Sequence, residues 1–201
     1  MIEKRAYEKA VFDIIEADSE DFLKGAYKDE AKERILKIIE IEAPITEALL
    51  SKRLINSFSI KRLGSSLSEY FDSLMKELDE EGKLTSTLTA GEKVYYNGSA
   101  VTFFRPTPDN PEEIRYSYQI PVEEALNAII YIFETRGRKF LKKDLLSEFS
   151  KELEYQRKGS QVVSLFNKAF EEGKKKGIIM KNSSGKFFVS SDKNTEIQET
   201  E

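Results

Sequence analysis

A mainly α fold with small β-hairpins, of the α+β class and built twice over, is what this 201-residue sequence predicts. Three observations carry the expectation. The stretch KRLGSSLSEYFDSLMKELDEEGKL, Lys61 to Leu84, returns as QRKGSQVVSLFNKAFEEGKKKGII, Gln156 to Ile179. Within each copy, apolar residues recur at helical spacing between glycines that punctuate both ends. After each copy come two short strand-like runs separated by a turn-forming cluster.

The repeat aligns without a gap at an offset of 95 residues: Arg62 on Arg157, Gly64 on Gly159, Ser65 on Ser160, Phe71 on Phe166, and Gly82 on Gly177. Upstream, Ile35 falls on Ile130, Ile38 on Phe133, Ile45 on Phe140, Leu50 on Leu145 and Phe58 on Leu153. Glycines and an apolar stripe answer separate physical demands, so their joint return indicates duplication of one unit.

In the first copy the spacing of Ile35, Leu36, Ile38 and Ile39 predicts a helix over 31–41, stopped at Glu42-Ala43-Pro44, because proline denies the preceding residue helical geometry. Thr46 is the expected N-cap of a second helix through Ile55, and Ser65 that of a third, whose stripe is Leu67, Phe71, Leu74, Met75 and Leu78. Gly82 stops the third helix. Runs 84–88 and 93–97 then predict a hairpin across Ala90-Gly91-Glu92. The second copy repeats the plan: helices over 122–136, 142–153 and 160–176, and strands over 178–181 and 186–190 around Asn182-Ser183-Ser184-Gly185.

Three helices closed by a hairpin make a winged-helix domain, a helix-turn-helix variant whose third helix and wing commonly face DNA. The expected organisation is a helical N-terminal lead-in (1–30), a first winged helix (31–105), a proline-rich connector (106–120), a second winged helix (121–190) and a flexible tail (191–201). Four of the five prolines, at 106, 108, 111 and 121, fall in or beside the connector, which predicts a stiff, extended segment.

Composition excludes much chemistry. Cysteine and histidine are both absent, which removes disulfides, zinc ribbons, the commonest neutral-pH base and the Ser-His and Cys-His nucleophile pairs. No catalytic residue, metal or cofactor is expected, and the chain is read as not an enzyme. There is no apolar run long enough to span a bilayer and the N-terminus is too acidic for a secretory signal, so the expected location is the cytoplasm, with no membrane contact.

The pieces IIEIEAPITEALLSKRL, RLGSSLSEYFDSLM, VTFFRP, IPVEEALNAIIYIFE and RKGSQV resemble the domain of unknown function found at the C-terminal end of large bacterial superfamily-1 helicase-related proteins. The similarity covers about residues 31 to 180. It implies an accessory module beside nucleic-acid unwinding machinery, with helicase or nuclease domains as partners, and it brings no catalytic residues to carry over. No GxxxxGK[ST] stretch stands in the chain.

Net charge is −4 overall, yet from Arg136 to Lys186 there are 14 Lys and Arg against 6 Asp and Glu, about +8. That segment holds the third helix and wing of the second copy. Its outward positions are the candidate nucleic-acid contacts: Arg157, Lys158, Ser160, Gln161, Ser164, Lys168 and, at the wing tip, Lys186. Gly159 and Ser160 would lie at a helix N-terminus, where free N–H groups favour phosphate; Arg157 and Gln161 would reach base edges, and the lysines would neutralise phosphates. A solvated face is the competing reading. In the first copy Glu69 and Asp72 would repel phosphate, which points that helix toward protein. The paired Arg62-Gly64 and Arg157-Gly159 read as structural, the glycine for a turn with positive φ and the arginine for helix-end carbonyls.

The expectation is therefore a non-catalytic accessory module whose second winged helix contacts duplex DNA while its first docks on protein. The alternative is a protein-interaction scaffold, a tandem winged-helix subunit of a larger complex without nucleic-acid binding. A homodimer is compatible with the composition, with no residue pointing to it.

Overall fold

The computed structural model describes residues 1–108, Asn110 and residues 114–189. The predicted tail and part of the connector lie outside the described residues. Among these, seven α-helices, one 3-10 turn and three small sheets give an α+β architecture.

The chain opens on β1 (Glu3–Lys4) and runs without helix to α1 (Ser19–Leu23). The helical lead-in expected over 1–30 is thus largely an extended strap. Its apolar residues do not share one helix face; Ala10, Phe12, Ile15 and Phe22 are laid in turn across the first core. Arg34 fastens the strap, donating from Nη2 to the Asp13 carbonyl at 3.0 Å and from Nη1 to the Ser57 carbonyl at 2.7 Å.

Next come α2 (Lys28–Glu42), β2 (Ile45–Thr46), α3 (Glu47–Ser57) and α4 (Ser65–Glu80). Thr46 caps α3 as expected, accepting from Leu49 N–H at 3.3 Å. Ser65 does not cap α4: Gly64 holds the N-cap position, and Gly159 does so in the second half. Hairpin β3 (Thr85–Thr89) and β4 (Glu92–Tyr96) closes across Ala90 and Gly91, both at positive φ, as a two-residue hairpin turn requires. With β2 they form an antiparallel sheet of order β2-β4-β3.

The second half contains β5 (Phe103–Phe104), the 3-10 turn η1 (Ser117–Gln119), α5 (Val122–Arg136), α6 (Lys142–Glu152), α7 (Ser160–Lys175), β6 (Ile179–Lys181) and β7 (Phe187–Val189). Strand β5 pairs in parallel with β1, and Phe104 is buried in the second core. Residues 103–104 therefore pack with the half that follows them, and the N-terminal strap reaches across to that half.

The repeat holds in backbone detail. Both ends of α3 and α6, and of α4 and α7, stand 95 residues apart. Ser59 (φ 60°) and Glu154 (φ 62°) take the same left-handed conformation after their helices, as do Gly82 (67°) and Gly177 (70°). The bonds Ile60 N–H to Ile55 and Tyr155 N–H to Ser150, both 3.0 Å, close the matching turns. Each half has its own buried cluster, one from Ala10 to Tyr95 and one from Phe104 to Ile179.

The halves are clamped by buried charge. Glu124, on the first turn of α5 and fully buried, accepts from Arg105 Nη2 and Arg115 Nη2, each at 2.8 Å. Arg105 also donates to the carbonyls of Glu42 (2.9 Å) and Pro44 (2.8 Å) at the end of α2, so one guanidinium bridges the two cores. Burial pushes the Glu124 carboxyl up, but Arg115 and Arg105 outweigh it and hold the group at about 2. The Tyr7 ring lies 4.4 Å from Arg115 and 5.4 Å from Arg105, and burial together with Glu42 raises its hydroxyl well above the ordinary value.

Candidate nucleic-acid interface

Helix α7 buries Val162, Leu165, Phe166, Ala169 and Phe170 on one stripe, which leaves Gln161, Ser164 and Lys168 on the opposite, exposed side. The side of α7 expected to carry contacts is therefore exposed, but it is not open along its length. Lys168 is engaged by Glu92 of the first hairpin at 2.5 Å. That hairpin lies between the halves: Tyr95 is buried in the first core, while Tyr96 donates to Glu123 of α5 at 3.0 Å. Lys168 is thus a contact between halves, and the part of α7 clear of that contact is its N-terminal end.

At that end Arg157, Lys158, Ser160 and Gln161 are all exposed. Arg157, like Arg62, has no hydrogen-bond or ion-pair partner among the described residues. Gly64 and Gly159 have φ of −80° and −66°, and a Cβ at either would meet nothing within 4 Å. The structural role expected of these arginine and glycine pairs, positive φ and a bond to helix-end carbonyls, is not what the backbone shows. Ser160 is the first helical residue rather than a cap.

Lys158 donates to Ser147 of α6 at 2.8 Å. Ser147 in turn lines a cavity of about 380 Å³ together with Arg138, Lys139, Asp144, Glu148 and Lys186. Lys186 is thereby brought to the α5–α6 loop, where Arg138 lies 4.6 Å from the Phe140 ring and Lys139 4.9 Å from the Phe188 ring. Arg138, Lys139, Lys158 and Lys186 make no ion pair among the described residues, so their charge is not neutralised at contact distance. Two carboxylates share the site. The hydrogen bond from Lys151, with the charges of Arg136 and Arg138 behind it, holds Glu148 below the usual carboxylate range.

Sequence reasoning missed Arg138 and Lys139. The signal was present as the run RGRK after the α5 stop, but its proximity to Lys186 depends on hairpin register. The remaining basic charge is dispersed: Lys142 and Lys174 flank Phe170, Lys174 pairs with Glu171, and Lys176 pairs with Glu172. Of the aromatic side chains that could stack on bases, Tyr95, Phe103 and Phe104 are buried. Among the described residues no carboxylate cluster is arranged to hold a metal ion, and no helix is long and apolar enough to cross a membrane.

No curated protein matches the chain. A family described as "Protein of unknown function (DUF3320)" matches residues 20–69, from α1 to the first turns of α4. The matched stretch takes in the strap-binding face, the Pro44 turn and the Arg62-Gly64 approach to α4; the cationic site of the second half lies outside it. The chain is similar to that family from α1 through α3 and into the start of α4.

Proposed function

We propose that the chain is a tandem winged-helix, non-catalytic accessory module that binds nucleic acid through its second half and presents its first half to protein. The supporting observation is the convergence of Arg138, Lys139, Lys158 and Lys186, exposed and without an ion pair among the described residues, around one end of α6 and the β6–β7 hairpin. Unpaired cations on one surface release counterions when they meet phosphate, and that release supplies much of the free energy of duplex binding. The N-terminal end of α7, with Arg157, Ser160 and Gln161, adjoins this group and is the part positioned for a groove. The first half offers the opposite surface: the exposed side of α4 carries Glu69, Asp72, Asp79 and Glu80 against Lys76. An anionic face repels duplex and suits a cationic protein partner. Association with a helicase or nuclease assembly rests on the sequence resemblance alone.

The test is anisotropy of a labelled duplex at low and moderate salt. Affinity should fall steeply with salt, by a log–log slope of about 0.9 for each phosphate neutralised. Lys158→Glu with Lys186→Glu should abolish binding and Arg138→Ala should reduce the slope by about one. Lys168→Ala should bind nearly as the unmodified chain does. Absence of binding at low salt would leave the scaffold reading in its place.

A further inference from the structure

The two hairpins end in edges of different character. In the second half the outer strand β6 is three residues long and ends in Lys181, a short edge carrying a charge, which is how natural sheets discourage strand addition. In the first half the outer strand β3 reads Thr85-Ser86-Thr87-Leu88-Thr89: five residues, with no charge, no proline and no bulge. Its first four residues are exposed, Leu88 at 76 %. Around a two-residue turn the flanking pair Thr89 and Glu92 is hydrogen-bonded, so Thr85, Thr87 and Thr89 direct their backbone groups to β4. The N–H and C=O groups of Ser86 and Leu88 then point outward, and no backbone group of the described residues meets them.

We infer that β3 is a self-association edge, at which two copies of this chain join their three-stranded sheets into one six-stranded antiparallel sheet about a two-fold axis. Register follows from the outward groups. Ser86 of one copy pairs with Leu88 of the other, and the same pair repeats across the axis, which places Thr87 opposite Thr87 at a non-hydrogen-bonded position. Thr85 then faces Thr89, so the central side-chain pairs are β-branched and uncharged, a combination favourable in cross-strand positions. A two-fold axis sets every residue near it against its own copy, so a charged edge would repel itself and a neutral one does not. The same register sets Lys83 of one copy opposite Gly91 of the other, so no like charge faces it at the ends of the joined strands. An extended peptide from a different protein would use the same backbone groups, but nothing on this edge selects one. The inference is independent of the nucleic-acid reading, since no residue of β3 lines the cavity that Arg138, Lys139 and Lys186 share.

Sedimentation of the full chain over a concentration series tests it. A species of twice the 23.1 kDa chain mass should grow with concentration. Thr87→Lys and Thr87→Glu, both at an exposed position and checked for fold by circular dichroism, should each weaken dimerisation at least tenfold by setting like charges together on the axis. Mixed in equal amounts, the two variants should restore it. Ser86→Pro, which removes an outward N–H and leaves the β3–β4 ladder intact, should also weaken it. A chain that stays monomeric up to about 1 mM, a dimer indifferent to Thr87→Lys, or a mixture no tighter than its components would overturn the inference.

Discussion

In the first half the hairpin runs five residues on each side of a two-residue turn, and its inner strand β4 is enclosed: Tyr95 enters the first core, and Tyr96 and Glu92 meet the second half. In the second half the strands are three residues long around a wider turn, closed by Asn182 N–H to the Lys186 carbonyl at 2.9 Å. Ile45 pairs with Tyr95, whereas its counterpart Phe140 pairs with Phe187. By the 95-residue offset, Tyr95 corresponds to position 190, so the second hairpin reaches its partner three residues sooner. That shortening draws Lys186 to Arg138 and Lys139. One duplicated plan has thus yielded a spacer in one half and an exposed cationic tip in the other, and the change lies in the hairpin, whose strands shorten from five residues to three, while the helices stay in register.

The largest expected effect comes from the clamp that holds the two hairpins in their different settings. Glu124→Gln leaves two buried guanidinium groups without their carboxylate and should cost about 3–5 kcal/mol in urea unfolding. Its folded value of about 2 lies below the ordinary 4.5, so its contribution is present above about pH 4.5 and lost as pH falls toward 2. Stability of the unmodified chain should drop across that window, and Glu124→Gln should flatten the drop.

Next is a packing contrast. At Gly173 an added Cβ would stand 2.6 Å from Ile179 and 2.7 Å from Leu126, while the matching position of the first half holds the buried Leu78. Helix α7 therefore lies closer to its neighbours than α4 does. Gly173→Ala should cost about 1–3 kcal/mol by overpacking. A smaller effect is a gain. Thr46 and Leu141 hold the same N-cap backbone, φ −72° and ψ 149°, yet only Thr46 supplies a side-chain acceptor. Leu141→Thr should raise the thermal midpoint, by about 1 kcal/mol of stability. Smallest is Lys168→Ala, which removes a partly exposed pair with Glu92 and should change stability by less than about 1 kcal/mol.

The helices of both halves were readable because apolar period and glycine stops are local properties, and α3, α4, α6 and α7 fall within a residue or two of their expected bounds. The strap was not, since the partners of Ala10 and Phe22 are residues of α2 to α4 that no local pattern names. The buried arginines 105 and 115, one at the border of the predicted connector and one inside it, were not singled out, because a charge-rich, proline-rich stretch gives no sign of burial until Glu124 is seen to face it. Of the seven candidate site residues, Arg157, Lys158, Ser160, Gln161 and Ser164 are exposed at one end of α7 and Lys186 is close by. Lys168 faces the other half instead, a fact set by how the halves dock and invisible to either repeat alone.

The parallel pairing of β1 with β5 gives the chain a knotted economy of attachment. Ile2 N–H reaches Glu134 of α5 at 2.9 Å and Lys4 reaches Glu154 at 3.1 Å, while Ala10, Phe12, Ile15 and Phe22 are bound by the opposite lobe. A protease nick between residues 108 and 114 would therefore not liberate two pieces. The fragments should stay together under native conditions and part only in denaturant, with the leading segment acting as the seatbelt.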